Sequence, residues 1–137
     1  MRFQENRHYV FFDSHCPMCS KWARKILQWD TEGVFILISA HSTIATSWVK
    51  KRGIDPSILS ETIVYLQPNV FWCKEGNAIK NIAKNLKSLP LLFSFILWIT
   101  PKKIIDGIYR FISQNRKKEI KDCDMNFDRS IRDRIIL

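Results

Sequence analysis

Two regimes of apolar patterning alternate along the chain. Tyr9–Phe12 and residues 34–38 (VFILI) are short unbroken runs of aromatic and β-branched side chains, the pattern of strands covered on both faces. Between them Cys19, Trp22, Ala23, Ile26 and Trp29 recur at three- and four-residue spacing, while Ser20, Lys21, Arg24, Lys25 and Gln28 fill the other side. That spacing predicts an amphipathic helix. Strand, helix and strand within about thirty residues make a βαβ unit, whose strands run parallel through a right-handed crossover.

Further along, Ser42 is placed to cap a second helix with Ile44, Ala45, Trp48 and Val49 on one side and Gly53 as a left-handed stop. Residues 62–66 (TIVYL) and 70–73 (VFWC) read as two strands of a hairpin turning at Gln67, Pro68 and Asn69. Asn77 is expected to cap a third helix with Ala78, Ile79, Ile82, Ala83 and Leu86 as its apolar stripe. Residues 89–118 read as two more helices broken at Thr100-Pro101. The apolar part, 89–100, is expected to be buried, because a bilayer span needs about twenty residues.

The predicted order, β-α-β-α-β-β-α, is that of a thioredoxin-like α/β domain with a mixed four-stranded sheet and a helical C-terminal extension. One domain over 1–137 is expected, with a core of about 8–87, an extension of about 88–118 and a polar tail, 119–137. Hydrophobic residues at 46% and charged residues at 26% suit a chain that folds by itself. The formal charge of +9 raises the question of an anionic partner. Ten of the 22 basic and six of the 13 acidic residues lie from Thr100 onward, so the excess is spread and mixed with acids. It reads as a solvated basic surface, and neither a nucleic-acid partner nor membrane contact is expected. Met1–His8 is polar and the apolar run after it has only four residues, which gives no secretory signal and an expected cytoplasmic location.

The chemistry concentrates in Cys16 and Cys19, which follow a strand and open a helix, the context in which C-x-x-C acts as a redox motif. In a first helical turn, positions three apart have Cα atoms about 5 Å apart, within disulfide range. Cys19, on the apolar stripe, is expected to face the core. Cys16, ahead of the helix body, is expected to be the exposed thiol, its thiolate favoured by unpaired backbone N–H groups, the helix dipole and a protonated His15. Pro17 suits the first turn because its missing N–H has no partner to lose. Cys16 is therefore the predicted nucleophile toward a substrate disulfide, and Cys19 the thiol that resolves the mixed disulfide.

A structural disulfide, a zinc site and chance spacing are the competing readings. With no second C-x-x-C, a four-ligand zinc site would need Cys73, Cys123, His15 or His41 to converge. The alternative function is accordingly a non-catalytic zinc-binding or interaction module with cysteine ligands. Asp13 ends the first strand, where its carboxylate can cap the helix or take the proton of Cys19, capping being the favoured role. Cys73 reads as a core residue.

Asp13, Cys16 and Cys19, as DSHCPMC after an apolar strand, resemble the D-x-x-C-x-x-C signature of the DCC family of predicted thiol-disulfide oxidoreductases. The GNAIKNIAKNL helix after a VFW strand, the segment PKKIIDGIYRFISQNR and the isolated Cys123 follow in the order typical of that family, so the resemblance covers about residues 8–123. Ser14 stands where the family usually has Gly, and Tyr109 and Arg116 match recurrent positions. The resemblance implies a thioredoxin-like fold and thiol-disulfide exchange; the expected cytoplasmic location favours reduction of a protein or small-molecule disulfide, with recharging by a cellular thiol reductant. No cofactor and no metal are called for, and Cys123 is a candidate third redox thiol.

Overall fold

The computed structural model describes residues 2–88, 95–96, 98–114 and 129–137. Strand β1 (His8–Phe12) leads into helix α1 (Pro17–Trp29) and strand β2 (Phe35–Ser39). Helices α2 (Thr43–Lys51) and α3 (Ile58–Glu61) precede the strands β3 (Val64–Gln67) and β4 (Phe71–Lys74). Helix α4 (Glu75–Asn85) follows, then α5 (Lys102–Gln114), the short α6 (Arg129–Arg132) and strand β5 (Ile135–Ile136). β1 and β2 are parallel, from His8 opposite Phe35 to Phe12 opposite Ser39. β3 runs antiparallel to β1, and β4 antiparallel to β3.

The sheet has the order β4-β3-β1-β2-β5. It has five strands where four were expected, because Ile135 and Ile136, in the supposed polar tail, pair in parallel with Leu37 and Ile38 of β2. Arg134 anchors this return: its guanidinium lies 2.6 Å from the buried carboxylate of Asp30, which also accepts the backbone N–H groups of Val34 and Phe35. A two-residue strand has no periodicity to read, and its place is set by this ion pair across the fold.

The continuous apolar runs are explained by cover on both faces of the sheet. Val10 and Phe12 of β1 pack with Ala23, Ile26, Leu27, Ala78 and Ile82 of α1 and α4. The alternate residues Tyr9 and Phe11 pack with Ala45, Trp48, Val49 and Leu59 of α2 and α3. Each large side chain so enclosed contributes about 1.5–3 kcal/mol.

Helix boundaries follow the sequence closely for α2, where Ser42 accepts the N–H of Ala45 at 3.2 Å and Gly53 takes a left-handed φ of 64°. In α1 the inward stripe is Ala23, Ile26 and Leu27, while Trp22 is half-exposed, a rotation from the expected set. Helix α4 starts at Glu75 after Lys74, so Asn77 lies inside the helix and does not cap it. Gly76 is the close-approach point between α4 and α5: its N–H donates to Asp106 at 2.8 Å, and a Cβ there would collide with that carboxylate.

The expected burial of residues 89–100 fails for the described part. Phe95, Ile96, Trp98 and Ile99 are exposed, as are Ile104, Ile108 and Phe111 along α5, because both sheet faces are already covered by other helices. No described helix is long and apolar enough to cross a membrane.

Candidate active site

Parallel pairing of β1 and β2 brings the loops that follow both strands to one edge of the sheet, the edge where open α/β folds place their chemistry. Ala40 donates to the carbonyl of Phe12 at 2.8 Å, locking the two strand ends together. The chain after β1 makes a tight turn in which Cys16 N–H donates to the Asp13 carbonyl at 3.2 Å and His15 N–H to the Asp13 carboxylate at 3.0 Å. Ser14, in the place of the usual Gly, uses its hydroxyl: Oγ lies 2.7 Å from Oγ of Ser39, at the end of β2.

Cys16 is the N-cap of α1. Its backbone is extended, with φ −94° and ψ 115°, and its carbonyl accepts the first helical bond from Ser20 at 3.0 Å. Its sulfur accepts the backbone N–H of Cys19 at 3.4 Å. Pro17 occupies the first turn. The sulfur of Cys16 thus takes the place at the helix entrance assigned to Asp13, and the expected capping role of Asp13 is corrected.

The expected exposure of Cys16 is not found, while Cys19 packs against the core as its place on the apolar stripe predicted. Cys16 is 2% exposed, whereas Cys19 is partly exposed and packs on the rim of the α1–α4 core. Cys73, on the edge strand β4, is partly buried beside the same core. Burial pushes its thiol up, against the Asn81 amide at 3.5 Å and the charge of Lys102. Cys123 and Arg116 lie outside the described residues, and Tyr109 belongs to α5.

Asp13 has a partner the sequence reading missed. Its carboxylate, 8% exposed, lies 2.9 Å from Nε2 of His41, whose ring stacks on that of His15 with centroids 3.9 Å apart. The signal was present: in a βαβ unit the turns that follow the two parallel strands lie side by side, and His41 comes two residues after β2 ends. Asp13, His15 and His41 are also the metal-capable grouping among the described residues, and it contains no cysteine. A cleft of about 660 Å³ opens elsewhere, lined by Phe3, Ile44, Trp48, Lys51, Arg52 and Leu66, and none of Asp13–Cys19 touches it.

An α/β sheet carrying a C-x-x-C pair at a helix entrance defines a class of dithiol proteins. The profile of the DCC1-like thiol-disulfide oxidoreductase family matches residues 10–121, and the chain belongs to that family. It is similar to the uncharacterized protein YuxK of Bacillus subtilis (strain 168), with 28% identity over 109 residues, 80% of this chain and 77% of the relative. No solved structure matches it.

Proposed function

We propose that this chain is a thioredoxin-like dithiol-disulfide oxidoreductase in which Cys16 attacks the substrate and Cys19 resolves. The observation that carries the reading is the position of Cys16 as N-cap, its sulfur accepting the Cys19 N–H at 3.4 Å. The sulfur sits at the helix entrance with a backbone N–H aimed at it, and the resolving cysteine follows within the same first turn. The strand order β4-β3-β1-β2 with β1 and β2 parallel supports the thioredoxin-like assignment.

The Cys16 thiolate forms a bond to one sulfur of the substrate disulfide and expels the other as a thiolate, which takes up a proton. Cys19, giving its proton to Asp13, then attacks the Cys16 sulfur. The Cys16–Cys19 bond forms, the mixed disulfide breaks, and the second substrate thiol leaves. The protein is oxidised by two electrons and the substrate reduced by two. Because Cys16 is 2% exposed, the attack requires the 14–17 turn to open toward the substrate. His15 and Pro17 support the site as neighbours of the nucleophile. In a cytoplasmic setting a cellular thiol returns the pair to its reduced form.

Equilibration of the protein with glutathione redox buffers, followed by peptide mapping, tests the reading. One reversible Cys16–Cys19 disulfide is expected. Failure of these two sulfurs to pair at any ratio of oxidised to reduced glutathione would remove it.

A further inference from the structure

The turn after β1 and the turn after β2 bring together two imidazoles and a buried carboxylate from positions up to 28 residues apart. The metal-ligating atoms of Asp13, His15 and His41 all lie within 4.8 Å of one another, with Asp13 buried and both histidines exposed. Around a tetrahedral zinc ion with bonds of about 2.0–2.2 Å, ligand atoms sit about 3.4 Å apart. The Asp13–His41 separation, 2.9 Å, is already that short.

We propose that Asp13, His15 and His41 form a binding site for a divalent transition cation of the zinc class, distinct from the cysteine pair. Two nitrogens and one carboxylate oxygen suit such an ion better than calcium or magnesium, which favour oxygen ligands. Three protein ligands leave a coordination position open to water. The stacked rings are nearly parallel, at 12°, and cannot both aim in-plane lone pairs at one ion as they stand. His15 is exposed, so rotation about its side-chain bonds turns a nitrogen toward Asp13. The ion displaces the hydrogen bond between His41 and Asp13, and the His41 ring proton moves to Nδ1. The Asp13 carboxylate remains oriented by the His15 backbone N–H at 3.0 Å, an outer contact of the kind that fixes metal ligands.

The inference does not rest on thiol chemistry, although an ion on Asp13 would remove that carboxylate from the proposed proton transfer. The test uses tag-free full-length protein under reducing conditions, titrated with Zn²⁺ against a chromophoric chelator and with Co²⁺ by absorption. One equivalent is expected to bind both to the wild type and to a Cys16→Ser/Cys19→Ser variant. The Co²⁺ complex is expected to lack a thiolate charge-transfer band. His41→Gln, whose amide reaches about as far as the ring Nε2 and can still bond Asp13, and His15→Ala should each weaken binding by about 10-fold or more. Unaltered affinity in both histidine variants, loss of binding in the double serine variant, or no binding by the wild type would each overturn the site.

Discussion

Nε2 of His41 lies 2.9 Å from Oδ1 of Asp13, so the aspartate of the D-x-x-C-x-x-C stretch is engaged across the β1–β2 edge and not with the helix. Asn at position 13 can still accept hydrogen bonds from the His15 N–H and the His41 ring N–H through its amide oxygen, but it cannot take up a thiol proton. Asp13→Asn is therefore expected to change stability by less than about 1 kcal/mol, while slowing disulfide reduction by about 100-fold. Urea unfolding and turnover of a model disulfide measure the two effects. A large stability loss with unchanged turnover would assign Asp13 to structure alone.

Much of this arrangement was legible in the chain. Both strands of the βαβ unit announce themselves by four- and five-residue apolar runs, since a strand buried on two faces has no polar side. The inward faces Ala23/Ile26 and Ala45/Trp48/Val49 follow from spacing. The misses share a cause: each depends on contacts between segments distant in sequence. Leu27 is buried and Trp22 half-exposed because tertiary packing, not the local spacing, decides which of two neighbouring apolar stripes of α1 faces the core. The burial of Cys16 depends on the tertiary surroundings of the helix entrance, which a helix diagram cannot show. β5 exists because Arg134 reaches Asp30, 104 residues away.

That last contact carries its own prediction. Arg134 donates to Asp30 at 2.6 Å and to the Leu27 carbonyl at 3.2 Å, while its own carbonyl accepts the N–H of Leu37. Arg134→Ala removes the cation from a carboxylate that stays buried, and should cost about 2–3 kcal/mol. Pairing it with Asp30→Asn should recover part of the loss, since the buried charge is then gone. An unchanged urea midpoint for the single variant would mean that β5 does not contribute to the stability of the sheet.

The far end of β1 sets a pH dependence. His8 Nδ1 lies 2.6 Å from the Tyr65 hydroxyl, which also accepts from the Asn85 amide at 3.3 Å. Burial holds Tyr65 up to about 12, and it lowers His8 below its ordinary 6.5, with the charge of Asp30 opposing. The hydroxyl therefore stays protonated and donates to a neutral imidazole. Since the unfolded chain takes up the His8 proton first, this contribution to stability is complete above pH 6.5 and is lost as pH falls below it. The urea midpoint should drop between about pH 7.5 and 5.5, and by less in His8→Gln. An equal drop in the variant would mean that His8 is not the responsible group.

The division of labour between the two thiols is the centre of the account. The direct measurement mixes reduced Cys19→Ser and Cys16→Ser variants separately with a chromogenic disulfide, quenches with acid and locates adducts by peptide mapping. Cys19→Ser should accumulate a stable mixed disulfide on Cys16, with no resolving sulfur to release it, while Cys16→Ser should form little adduct at Cys19. A rapid, stable adduct on Cys19 in Cys16→Ser, with Cys16 unmodified in Cys19→Ser, would contradict it.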